Sequence, residues 1–201
     1  MSADIQIYIY WLIGLITGLI FLRDELTNFN KNFDLKRVAL IISTAIIIIG
    51  NSIVYSNSTY FGDRQLDVLT VVIFAIGNGI CETFIFFTLF KFGEKAAGKI
   101  STNKVMLFLA GFFMFMIYSG LIHGLFWLNI LPDHTIHTPD KAFYRSLFMP
   151  FQLMIAASWS LSYFLYRDLY SIIFFHAIVD AVMVFSVRFS LFSHQIAMTG
   201  H

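Results

Sequence analysis

The sequence predicts an all-α membrane bundle of about six transmembrane helices. Three observations carry that expectation: 58% of the 201 residues are hydrophobic, only 12% are charged, and the apolar residues gather into six long runs separated by short polar interruptions. A soluble domain is about 45–50% apolar and about 25% charged, so this chain has half the charge that a wettable surface needs. Disorder is excluded as well, because a disordered chain combines low hydrophobicity with high charge, whereas the mean hydropathy here is +0.77. The 13 Lys and Arg nearly balance the 12 Asp and Glu, which leaves no basic field for nucleic acid. Cys81, the single cysteine, permits no internal disulfide. Helices are expected rather than strands because backbone groups in lipid must be satisfied within the segment, and no alternating pattern suggests a barrel.

A helix crossing ~30 Å of hydrocarbon needs about 20 mostly apolar residues, and residues 5–22, 38–55, 68–90, 105–131, 143–166 and 169–192 meet or nearly meet that length. The first run has no basic residue ahead of Ile5, so it reads as a retained helix and not as a cleavable signal peptide. Arg23, Lys31, Lys36 and Arg37 follow it. The second run is uncharged, and the loop after it holds only Arg64 and the weak sequon Asn57-Ser58-Thr59. Lys91, Lys95, Lys99 and Lys104 follow the third run. The loop after the fourth holds two of the three prolines, Lys141, and His134 and His137, which read as loop decoration. Arg167-Asp168 is the turn between the last two runs. The surplus of Lys and Arg after runs one and three places the loops after runs one, three and five in the cytoplasm, with both termini on the other side.

Six polar residues interrupt the later runs: Glu82, His123, Arg145, His176, Asp180 and Arg188. A charge near the bilayer centre costs about 2.5–3.5 kcal/mol on insertion scales, so such residues face the bundle interior and mark a site or pathway. Arg145 and Arg188 lie near run ends, where their long side chains can reach the interface. His176 and Asp180, four residues apart, share a helix face on which the carboxylate can orient the imidazole. Glu82 has Asn78 one turn earlier, inside Gly77-Asn78-Gly79, and His123 lies between Gly120 and Gly124; both stretches let another helix approach closely. Singly, each polar residue could serve only to hold helices in register. Together, converging acids and imidazoles are what hydrolytic and metal sites require. The Phe-rich runs 84–90 and 112–116 read as packing or lipid-facing surface. Ser119 and Ser160 lack the rest of a nucleophilic triad, and Cys81 reads as an inert buried thiol.

In their order along the chain, these residues resemble the CPBP family of intramembrane proteases, the group that includes type II CAAX prenyl endopeptidases and bacteriocin-processing or self-immunity proteins. The family pattern is E-E-x-x-x-R, then F-x-x-x-H, then H-x-x-x-N or H-x-x-x-D. His176-Ala177-Ile178-Val179-Asp180 matches the third motif, and His123 matches the second with Ser119 in place of Phe. The first departs in either of two registers. Glu82-Thr83 stands for the acid pair with Phe87 at the Arg position, or Cys81-Glu82 stands for it with Phe86 there. In the first register Glu82 is the catalytic glutamate; in the second that place is taken by Cys81 and the chain is catalytically dead. The first is preferred, because Phe84-Ile85-Phe86 fills the apolar stretch and Thr88 takes the small position after the Arg.

The resemblance covers residues 68–192 and implies two accessory transmembrane helices in 1–66 and a four-helix core with a short tail in 67–201. It implies an endopeptidase acting on membrane-associated peptides or proteins. In that reading Glu82 and His123 activate water, while His176, oriented by Asp180, stabilises the oxyanion. No cofactor is favoured. Zinc held by Glu82, His123 and His176 is the runner-up chemistry, although the H-E-x-x-H spacing is absent. Two non-hydrolytic readings stay open: an inactive member that binds or scaffolds a membrane partner, and a proton-coupled transporter, which the absence of a visible inverted repeat disfavours. Helix rise places Glu82 about 13 Å and His176 about 10 Å from the cytoplasmic ends of their spans, but His123 about 27 Å from its own, which disagrees with a shared depth.

Overall fold

A computed structural model describes residues 3–28, 30–59, 61–127 and 142–192. The loop histidines His134 and His137, Lys141 and the tail beyond 192 lie outside the described residues. Seven helices are present among those described: α1 (Ala3–Phe21), α2 (Arg23–Thr27), α3 (Leu35–Ser58), α4 (Val68–Gly98), α5 (Lys104–Trp127), α6 (Ala142–Tyr166) and α7 (Leu169–Val187). No strand occurs among them. Helices α3 to α7 are each long and apolar enough to cross a membrane, and α1 is apolar but shorter. The chain is an all-α integral membrane bundle.

Aspartates start three of the long helices. Asp34 accepts from the Arg37 amide, Asp67 from those of Leu69 and Thr70, and Asp168 from that of Ser171, each satisfying amides that a first turn leaves open. Helix α3 runs three residues past the expected 38–55 at each end, α2 forms within the expected loop, and two other boundaries differ for evident reasons. Helix α4 continues to Gly98 because Lys91 and Glu94 find partners there: Lys91 pairs with Glu25 at 2.8 Å and Glu94 pairs with Arg167. Helix α7 stops at Val187 because Arg188 turns into the left-handed region (φ 55, ψ 44), with its amide bonded to the Val184 carbonyl.

Helix α4 lies at the centre, packed against α1, α5 and α7, while α3 packs on α6 and α7. Two glycines allow these approaches. A Cβ at Gly14 would lie 2.5 Å from the Cys81 carbonyl oxygen, and one at Gly79 would lie 2.9 Å from the Ala177 amide nitrogen. Phe84, Phe86, Phe87 and Phe90 are buried, with Phe115, Tyr163, Leu169 and Ile172 beside them, so this Phe run is core and not lipid-facing surface. The exposed apolar residues, such as Leu12, Leu19, Ile46, Ile49, Phe113 and Leu121, point outward from α1, α3 and α5, as lipid-facing residues must.

Charged residues that the sequence places in loops are largely paired at one end of the bundle. Arg37 and Asp168 have fully buried side chains 2.7 Å apart. Arg37 also donates to the carbonyls of Asn30 and Asn32. Glu25 accepts from Lys91 and from the Tyr163 hydroxyl. Burial pushes the Glu25 carboxyl up, but the Lys91 and Tyr163 hydrogen bonds outweigh it and hold the group below its ordinary value.

Replacing Arg37 with Met leaves the Asp168 charge buried and alone, with an expected loss of about 3–5 kcal/mol of stability; Arg37→Met with Asp168→Leu recovers much of it, measured by thermal unfolding in detergent. Because Glu25 is lowered on folding, its contribution is present above the unfolded value of about 4.3 and is lost as pH falls through the folded value. Glu25→Gln is therefore expected to flatten the acid limb of the unfolding midpoint against pH.

Candidate functional site

Helical spacing brings the polar residues to facing surfaces. Asn78, Glu82 and Phe86 recur every four residues on α4, His176 and Asp180 do so on α7, and Ser119 and His123 do so on α5, so each set occupies one side of its helix. Asn78 donates to Glu82 Oε2 at 2.8 Å and to Asp180 Oδ2 at 3.2 Å, bridging the two acids. The Tyr10 hydroxyl of α1 donates to Glu82 Oε1 at 3.2 Å, and the Tyr118 hydroxyl donates to Tyr10 at 2.9 Å. The neighbouring Trp11 donates its indole N–H to Asn78 Oδ1.

Nε2 of His176 is 3.3 Å from Glu82 Oε2 and 3.6 Å from Asp180 Oδ2, and Nδ1 is 2.8 Å from the Thr83 hydroxyl. Two carboxylate oxygens facing Nε2 require a proton on that nitrogen, and in the neutral ring Nδ1 then accepts from Thr83. Phe86 stacks on the ring with an interplanar angle of 9°, and Trp159 packs against it. His123 is arranged in the opposite sense. Its Nδ1 is 2.7 Å from the Ser119 carbonyl, which can only accept, so Nδ1 carries the proton and Nε2 keeps its lone pair.

The two histidines share one cavity. A volume of about 50 Å³ is lined by Glu82, Phe86, Ser119, His123, Trp159, His176 and Asp180 among others, room for one or two waters by the usual ~30 Å³ each. Glu82, His123 and Asp180 also line a second volume of about 200 Å³, whose remaining wall includes Tyr55, Phe74, Phe148 and Met183.

All four expected site residues are therefore on the same cavity wall. Against Glu82 the depth disagreement for His123 narrows with the true end of α4, because about 24 Å of helix separates Glu82 from Gly98 and about 28 Å separates His123 from Lys104; α7 starts only about 10 Å before His176, so the helix ends on that side are not level. Two expectations change. Asp180 does not stand behind His176; it lies beside Glu82 on the same ring nitrogen, and Thr83 holds the other. The expected zinc set of Glu82, His123 and His176 also changes by one member: the group whose donor atoms lie within 4.8 Å of one another is Glu82, His176 and Asp180. Their chemistry suits a metal, with Nε2 as ligand once its proton has moved to Nδ1 and is donated to Thr83.

Of the two motif registers, Glu82 is the residue that meets His176, while Cys81 packs against Gly14 of α1. Phe87 is fully buried against Phe115 and Tyr163, an apolar contact where the resemblance expects Arg. The Ser119 hydroxyl is 3.5 Å from His123 Nδ1, a nitrogen whose proton already goes to the carbonyl, so no serine–histidine pair is formed. Arg188 stands apart at the end of α7, its guanidinium 3.8 Å above the Phe61 ring. Sequence reasoning missed Tyr10, Trp11, Thr83 and Tyr118. The first two lie in a span without charge, and nothing in the pattern of a phenol or indole among aliphatic residues distinguishes a site contact from packing. Compared with protein-family models, with curated proteins and with solved structures, the chain matches none.

Proposed function

We propose that the chain is an intramembrane endopeptidase of the CPBP type, acting on membrane-associated peptides or proteins. The observation that carries this reading is the opposite setting of two imidazoles on one water-sized cavity beside a buried carboxylate: His123 Nδ1 faces a backbone carbonyl, which leaves Nε2 the lone pair, and His176 Nε2 faces two carboxylates, which calls for an N–H there. A water between Glu82 and His123 gives up a proton to Glu82, His123 holding its second hydrogen, as its oxygen bonds to the substrate carbonyl carbon. Once Glu82 holds that proton it no longer competes for His176 Nε2–H, which then meets the negative charge on the carbonyl oxygen. Asp180, itself held by Asn78, keeps the His176 proton on Nε2. Return of the proton from Glu82 to the amide nitrogen lets the C–N bond break, leaving a carboxylic acid and an amine. Helices α1 and α3 to α7 cross the bilayer in this reading, and the ion-paired end that carries Arg37, Lys91 and Arg167 faces the cytoplasm.

A second reading has a specific observation of its own. The Glu82, His176 and Asp180 donors lie close enough to hold a zinc ion, which would supply Lewis-acid activation of water.

Purified protein in lipid nanodiscs, offered a library of membrane-embedded peptides, tests both. Glu82→Gln is expected to lower cleavage about 10²–10⁴-fold and His176→Ala about 10²–10³-fold, with Cys81→Ala unchanged. Cleavage that survives Glu82→Gln removes the base assignment. Stoichiometric zinc that is lost in Asp180→Asn and retained in His123→Ala selects the metal reading, and no cleavage of any peptide by the unaltered protein selects an inactive binding module.

A further inference from the structure

The two volumes at the site differ in character. The smaller is walled by Glu82, Ser119, His123 and His176 together with aromatic rings, and suits water. The larger, about 200 Å³, touches the same Glu82 and His123 but extends among Tyr55, Phe74, Phe148 and Met183. A dry apolar cavity of about 150 Å³ accepts benzene, so this chamber has room for one large apolar side chain. Its position along the helices is consistent. Phe74 precedes Glu82 by two turns on α4 and Met183 follows His176 by two turns on α7, while Tyr55 is near the end of α3 and Phe148 near the start of α6. Every one of these lies on the side of the acids away from the Arg37–Asp168 and Lys91–Glu25 pairs, so the chamber extends toward the end of the bundle that lacks those pairs. Phe148 joins the two parts, with its ring 6.4 Å from that of His123 and 5.9 Å from that of Tyr55.

Resting on the hydrolase reading, we propose that this chamber is the specificity pocket: it takes a phenylalanine-sized or long aliphatic side chain of the substrate and so sets the scissile bond next to such a residue. The rings of Tyr55, Phe74 and Phe148 with Val179 and Met183 bind the side chain by desolvation, and the polar part of the wall, Asn78, Glu82, His123, Gln152 and Asp180, receives the adjoining peptide group. Met183 sets the size of the pocket on α7.

The test uses the full chain in nanodiscs, with binding and cleavage read separately. Binding of N-acetyl-para-fluorophenylalanine amide to the Glu82→Gln protein is followed by fluorine NMR, with the phenylalanine and alanine amides as competitors. Displacement by the phenylalanine amide alone is expected. Met183→Trp, which fills the chamber, is expected to weaken binding about ten-fold or more, and Met183→Ala, which widens it, to admit the tryptophan amide. In the unaltered enzyme, cleavage sites are expected beside Phe, Leu or Met, moving toward Ala and Gly in Met183→Trp. Binding that ignores both Met183 variants, or equal displacement by the alanine amide, overturns the pocket. Cleavage indifferent to side-chain size overturns it while leaving hydrolysis standing. Selective binding with no cleavage overturns the hydrolase reading and keeps the chamber's ligand class.

Discussion

A carboxylate inside a bundle of apolar helices has to be surrounded by donors, and the placement of Glu82 follows from that requirement. An unpaired buried ion costs several kcal/mol even after relaxation, so Glu82 draws on three helices: Asn78 from α4 itself, Tyr10 from α1 and His176 from α7. Tyr10 can reach Oε1 only because α1 lies close on α4, and the closeness depends on Gly14, where any Cβ would run into the Cys81 carbonyl. His176 reaches Oε2 through the equally close approach at Gly79 to α7. The small residues and the polar cluster are thus one device. Hydrogen bonds between membrane helices average only about 0.6 kcal/mol each, so these contacts do less to hold the bundle together than to fix which helix faces Glu82 and at what height.

The opposite end of the molecule solves a different problem. There the helices emerge with charges that must be matched among themselves, and Arg37–Asp168, Lys91–Glu25 and Arg167–Glu94 do so. Asp168 serves twice, since it also caps α7 through the Ser171 amide. Arg37 therefore holds the first turn of the helix that carries His176 two turns further on. The chamber side carries none of these ion pairs; there hydrogen bonds of uncharged groups, Gln152 to Asn51 and Ser56 with Ser186, and the Asp67–Ser190 contact tie the helices.

The all-α membrane fold was legible because long apolar runs have few other physical solutions. The ends of the runs were less so. Hydropathy stops where charge begins, yet α4 continues through Lys91 and Glu94 because each finds an opposite charge on a distant part of the chain. Glu82, His176 and Asp180 were legible for the reason that charge is rare in the spans, and i,i+4 spacing rightly put His176 and Asp180 on one face. That spacing does not say which ring nitrogen faces the acid. Rotation about the imidazole side chain decides it, and here Thr83 of another helix takes Nδ1 and leaves Nε2 for both acids. Asn78 was legible as the i−4 neighbour of Glu82, but partners on other helices or without amide or charge, such as Tyr10 and Thr83, carry no signal in hydropathy, so most of the supporting contacts were invisible in the sequence.

The two histidines differ most in what fixes their protons. His123 is held by the Ser119 carbonyl of its own helix, an oxygen that already accepts the backbone bond of that turn and can never donate. Its Nδ1 proton stays in place for as long as the helix does, and Nε2 stays an acceptor. His176 is held by a hydroxyl, which donates to a bare Nδ1 and, after rotating about its C–O bond, accepts from a protonated one. One imidazole thus has a fixed tautomer and the other a partner that follows its protonation. Fixed acceptor and adjustable partner line the same cavity as Glu82, so its wall holds one permanent lone pair, at His123, while the Thr83 hydroxyl accommodates either state of His176.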